Sequence, residues 1–510
     1  MPSQGQRTYR RRPAHLATTV AALAVALSLG ACSLAPRYEK PETAKVENFV
    51  EAGDWMPAHP ADGVPRGDWW RAFNEPTLDD LEQRLSQSNP DLQAAVARLG
   101  EARAVVLNTR SAEFPTVGAD ASAARERYSA NSPLASETSR GARTYNDFVG
   151  DLSFAWEVDL FGRLRNSTAA ARAEAQASAA DLANVELSLR AELATDYFAL
   201  RGADATTRLL EDTVKDYDRA YEVTNNRYKQ AIAAATDVEQ ANTLRENARA
   251  QLAAVRLQRA QLAHAIAVLI GLPASQFSIA PGPLAGSPPA FDPGVPSTLL
   301  QRRPDVASAE RAVAAANAEI GVARAAWFPV FSLSGAAGYE STVASTWLRA
   351  PSRFWSVGPA GSLPLLDGGA RLAGDRQAWA VYDESVANYR KTTLVAYQEV
   401  EDSLVALRRL AEERAADEAA AVSAGQSAYH ADQRYLGGVA DYLEVADTHT
   451  AALQAQIAAI SARVAEFQST IALVRATGGG WATGYMATRG PRRAKLARSG
   501  GPHEPSSIER

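Results

Sequence analysis

Reactive side chains are sparse along these 510 residues. The six histidines, at positions 15, 59, 264, 430, 449 and 503, include no two at the helical spacing that lets imidazoles share a metal. The glycine run Gly478-Gly479-Gly480 lacks the lysine and hydroxyl residue of a phosphate-binding loop. Carboxylates are plentiful, but on long helices they form solvated faces. The sequence therefore predicts no enzyme, no cofactor and no metal site. Glu444 and Asp447, three apart near the start of a helix, share one helix face.

The single thiol, Cys32, has a different chemistry open to it. Residues 1–31 begin with Arg7, Arg10, Arg11 and Arg12, continue as an apolar run from Leu16 to Leu29, and close on small residues, which is a secretory signal and not a domain. Leu29-Gly30-Ala31-Cys32 resembles a bacterial lipobox, so cleavage would leave Cys32 as an acylated N-terminus carrying palmitate-type chains. Each buried methylene adds roughly 0.8 kcal/mol of membrane affinity, and a multiply acylated terminus would hold firmly. By resemblance to lipoprotein sorting, Ser33 permits passage to the outer membrane. With one cysteine no intramolecular disulfide is possible, and stability must come from packing and assembly.

The elements that would position these residues come in two copies. Pro90-Asp91 and Phe114-Pro115 return as Pro304-Asp305 and Phe328-Pro329, offset by 304 − 90 = 214, and Arg110 returns as Arg324. After each Phe-Pro the period changes to two. Val117, Ala119, Ala121 and Ala123 alternate with polar or small residues, as do Phe331, Leu333, Gly335, Ala337 and Tyr339. Return strands are predicted through Phe148, Leu152, Phe154, Trp156 and Val158, and through Trp355, Val357, Leu363 and Leu365. Strands of about ten residues with one apolar face suit a transmembrane β-barrel, but four cannot close one, so the chain must oligomerise. Apolar steps of three and four predict long helices over about 164–227, 237–271, 371–435 and 439–477. The longer ones would reach on the order of 90–100 Å.

This divides the chain into a signal peptide (1–31), an extended N-terminal segment (32–68), a first repeat (69–273), a linker (274–296), a second repeat (297–481) and a disordered tail (482–510). A formal net charge of −5, from 53 basic and 58 acidic residues, gives no footprint for nucleic acid.

Leu299-Leu300-Gln301-Arg302-Arg303-Pro304-Asp305, Ala309-Glu310-Arg311, Ala315 to Gly321 and Phe328-Pro329 resemble the TolC-like outer-membrane efflux factors, in particular the lipoprotein branch serving resistance-nodulation-division pumps. Trp69-Trp70 with Phe73, Asp159-Leu160-Phe161-Gly162-Arg163, Pro364 to Gly369, Arg434-Tyr435 with Gly438, and Gly478-Gly479-Gly480-Trp481 support the same resemblance. It implies a mainly α fold with a transmembrane β part: a homotrimer whose α-helical periplasmic barrel continues into a 12-stranded outer-membrane β-barrel, four strands per chain. Periodicity alone would also allow eight strands from a dimer. The implied partners are a periplasmic adaptor protein, an inner-membrane pump and outer-membrane lipid.

The resemblance also assigns roles at the periplasmic tips. Leu443, Glu444 and Asp447 match positions that line the closed aperture, and Asp237 with Tyr435 matches a polar pair that links the hairpins. Ala231 stands where the family's first tip has glycine, and Ala440 where some relatives have a linking arginine. The competing reading is a lipoprotein that braces the envelope through a coiled coil, which requires neither alternating strands nor trimerisation.

Overall fold

The computed structural model describes residues 33–44, 49–50, 66–127, 144–289 and 303–479. The predicted signal peptide, Cys32 and the C-terminal tail lie outside these residues. So do the first hairpin loop and much of the linker's second half.

The two repeats are built from the same order of elements, with helices of matched length. In the first, a short helix α1 (Pro76–Ser88) precedes α2 (Pro90–Ser111), strands β1 (Thr116–Arg127) and β2 (Thr144–Val158), and the helices α3 (Arg163–Lys229) and α4 (Ala235–Leu269). In the second, α5 (Pro304–Ala325) leads to β3 (Val330–Ser341), β4 (Arg353–Ser362), α6 (Ala370–Leu436) and α7 (Tyr442–Ala476). Helices α2 and α5 have 22 residues each, α3 and α6 have 67, and α4 and α7 have 35.

Local chemistry sets the boundaries. Proline at the first helical position opens α2 and α5, and the Asn89 side chain accepts the Leu92 amide as the α2 cap. Phe-Pro then ends each helix and starts a strand. Strand turns into long helix at Gly162 (φ 79°) and Gly369 (φ 91°), left-handed positions that a side chain would strain. Beside the first of these turns Phe161 stacks on Phe328 at 4.5 Å, and Arg163 grips Glu157 with two hydrogen bonds of 3.0 and 2.7 Å.

The strands form one antiparallel meander, β1-β2-β3-β4, in which β2 pairs with β3 across the repeats. The register puts Val117 opposite Phe154, Phe154 opposite Gly335, and Gly335 opposite Val357. The alternation read along each strand therefore adds up to one apolar face. One detail differs from the sequence reading: Leu363 and Leu365 fall beyond β4, which ends at Ser362. The partner strand β3 begins at Val330, opposite Ser362, so residues beyond Ser362 have nothing to pair with.

The long helices run as two hairpins, α3 with α4 and α6 with α7, and α5 packs against both α3 and α6. Each 67-residue helix extends about 100 Å. Midway, a core closes around Trp69, Trp70, Leu78 and Leu85 with Leu193, Tyr197, Ile266 and Ile471. Phe198 stacks on Phe467 at 4.4 Å within it, tying the first repeat to the second.

Candidate channel aperture

At the far end from the sheet, both hairpins turn by the same backbone route. The Ile232 amide donates to the Arg227 carbonyl at 2.9 Å, and its counterpart Val439 donates to Arg434 at 3.0 Å. Such a turn needs a left-handed residue, which is Ala231 (φ 54°) at the first tip and Gly438 (φ 70°) at the second. The following helices also start differently. Asp441 caps α7 by accepting the Glu444 amide at 3.2 Å, whereas Ala234 leaves α4 without a side-chain cap.

The expected aperture residues sit on the first turns of α7. Tyr442 and Val445 bury one face of that turn against Ala241, Ala431 and Tyr435. Leu443 and Asp447 are exposed and point away from the chain's own packing, while Glu444 is half-buried. The sequence reading missed a cation: Arg434 donates to Glu444 at 2.7 Å across the turn. Glu444 is thereby neutralised within its own chain, while Asp447 has no ion-pair partner among the described residues. The Asp441 cap is legible in the sequence as an Asp-x-x-Glu helix start.

The Asp237 and Tyr435 positions come together from separate hairpins. The Arg227 guanidinium lies over the Tyr435 ring at 4.8 Å, and Tyr435 meets Tyr442 edge-on at 5.2 Å. Burial is the main cause that raises the Tyr435 pKa, and the neighbouring Asp237 charge adds to it. The Tyr435 hydroxyl is buried beside Thr224 and Asp237, where hydrogen bonding to Thr224 lowers its pKa and hydrogen bonding to Asp237 raises it, although neither contact reaches normal hydrogen-bond geometry. Ala440 offers no cation at this tip. Two turns higher, His449 Nε2 lies 3.0 Å from both Asp432 oxygens and holds α7 to α6.

A sheet with one apolar face, helices long enough to leave the membrane far behind, and a polar tip define one protomer of a membrane channel. The chain belongs to the outer membrane efflux protein family, which it matches over residues 81–272 and 295–479. It is 34% identical to the toluene efflux pump outer membrane protein TtgC of Pseudomonas putida, over 89% of this chain and 94% of that one. It is 33% identical to the outer membrane protein OprJ of Pseudomonas aeruginosa, over 91% and 96% respectively. The solved outer-membrane channel OprN superposes with a TM-score of 0.80 at 30% identity, covering 88% of this chain and all of that one. This chain is an outer-membrane channel subunit of an efflux system, and its fold is the family's trimeric one, α-helical tunnel and β-barrel.

Proposed function

We propose that three copies form a passive exit duct for small molecules, fed by an inner-membrane resistance-nodulation-division pump through a periplasmic adaptor. The observation that carries this reading is the four-stranded sheet, which leaves β1 and β4 unpaired at its two edges and runs directly into the 67-residue helices. Unpaired edges cannot face lipid, so neighbouring copies must supply the missing strands. The duct does no chemistry of its own, and energy comes from the pump. Cargo is selected there too; relatives carry names such as toluene efflux and pyoverdine export.

Cleavage after residue 31 would expose Cys32 for acylation and anchor the chain in the outer membrane. In the closed duct, Leu443, Glu444 and Asp447 line the narrowest point, and the Asp237 and Tyr435 neighbourhood holds the hairpins together. The deciding experiment is ion conductance of the purified trimer in planar bilayers. Discrete conductance steps are expected; their absence from a correctly assembled trimer would favour the envelope-bracing alternative. Labelled palmitate should enter the wild type and be lost in Cys32→Ser.

A further inference from the structure

The chain behind Cys32 lies against residues of α3 and α5 that hydrogen-bond to it. Ser33 Oγ donates to Asn166 Oδ1 at 2.8 Å, Asn317 Nδ2 donates to the Pro36 carbonyl at 2.9 Å, and Arg324 donates to the Leu34 carbonyl at 3.4 Å. The Tyr38 hydroxyl donates to the Glu310 carboxylate about two turns from Asn317 along α5. Asn166 and Asn317 are only 5% and 7% exposed, so Asn166 Oδ1 and Asn317 Nδ2 serve the segment and not water, while Asn166 Nδ2 is buried without a partner. Between them lies Gly321, where a Cβ would stand 2.4 Å from Asn166 Nδ2 and 2.7 Å from the Ala35 Cβ.

Glycine weakens a helix interior relative to alanine, and α5 nevertheless has one where the segment crosses it. The first repeat provides the contrast. At the 214-residue offset, Glu310, Asn317 and Gly321 correspond to Val96, Arg103 and Leu107 of α2, which are exposed. Among the described residues, no segment covers these three positions.

We propose that Asn166, Asn317, Gly321 and Arg324 form a binding seat for residues 33–36, and that this seat fixes the lipid anchor at the level where β2 gives way to α3. Asn166 belongs to the first turn of α3 and the other three to α5, so the seated segment also staples the first repeat to the second. The anchoring role rests on the lipid reading of Cys32 given above; the seat itself does not.

The test uses the full-length protein in outer-membrane vesicles, with trypsin cleavage of the Arg37–Tyr38 bond followed by mass spectrometry of the new N-terminus. Cleavage requires the segment to leave its seat, so its rate reports the open population. Gly321→Leu should be cut about tenfold or more faster than wild type, with palmitate incorporation unchanged. Asn317→Ala, which adds no bulk and decides the matter if the first variant fails to assemble, should be cut severalfold faster. Equal rates in wild type and Asn317→Ala, or faster cleavage only where palmitate is also lost, would overturn the seat. Unlabelled wild type with the rate difference intact would instead remove the lipid reading and leave the seat standing.

Discussion

Helices α2 and α5 have the same length and the same place in their repeats, but α2 buries only Ala95 and Leu99 whereas α5 buries eleven residues. The difference is one of neighbours. Helix α5 lies between α3 and α6 and beneath the N-terminal segment, while α2 packs along α3. Ala315, Ala318 and Ala325 of α5 are buried, and their counterparts Glu101, Ala104 and Ser111 are exposed. Strand β1 shows the same deficit, with all 12 residues exposed. By the repeat symmetry the bare face of α2 corresponds to the face of α5 that meets α3, and the prediction is that the next subunit's α6 covers it.

The largest expected effect separates these surfaces. Ala318→Arg forces a charge into a packed position inside the chain and should prevent folding, since overpacking alone costs about 1–3 kcal/mol and an unpaired buried charge adds more. Ala104→Arg should leave a helical monomer that cannot form the trimer. Circular dichroism together with cross-linking reads both; a trimer containing Ala104→Arg would break the comparison.

A second contrast concerns pH. Glu82 of α1 is fully buried, neither carboxylate oxygen has a hydrogen bond, and the Arg190 guanidinium is 3.7 Å away. Its counterpart position in the second repeat is Pro296. Burial raises the Glu82 pKa well above the carboxylate range, opposed by Arg190 and reinforced by Glu186, Asp79 and Asp68. The folded chain thus holds a proton that the unfolded chain releases near pH 4.3 or so, and stability should fall as pH rises from about there to the folded pKa. Thermal unfolding across pH should show this decline in wild type and a flatter profile in Glu82→Gln. A decline that persists unchanged in the variant assigns it to another group.

The tips supply two smaller effects. Because Arg434 already offsets Glu444, Asp447→Asn should lower cation preference more than Glu444→Gln, as measured by reversal potential across a salt gradient. Both differences should shrink in concentrated salt, where screening falls below the roughly 8 Å of physiological ionic strength. Unchanged selectivity in the double variant at low salt would place these residues off the aperture. At the turn itself, Ala231→Gly should stabilise the first tip by about 1 kcal/mol and Gly438→Ala should destabilise the second by a similar amount. Amide hydrogen exchange within residues 226–240 and 433–447 reads each tip separately.

Much of this was legible in the sequence because period and offset survive without tertiary context. Steps of three and four marked the long helices to within a few residues, and alternation marked four strands whose apolar faces the register then aligned. What escaped depended on contacts between distant residues. Nothing near Gly321 reveals that Ala35 will lie against it, and Arg434 reaches Glu444 only because the turn at Gly438 folds back. Leu363 and Leu365 keep the alternation beyond the end of β4, which is set by where its partner β3 begins at Val330.

The matched helix lengths constrain how such a duct can change size. One residue inserted into α3 alone would carry its tip about 1.5 Å beyond that of α6 and rotate it by about 100°, so that the rim would no longer lie in one plane. Growth therefore has to be copied into both halves of the gene, and increments of about seven residues, close to two full turns, keep the same faces in contact. The pairs of 67 and 35 residues behave as a gauge held to a tolerance of a single residue, and the N-terminal segment, seated on one copy only, is free of that constraint.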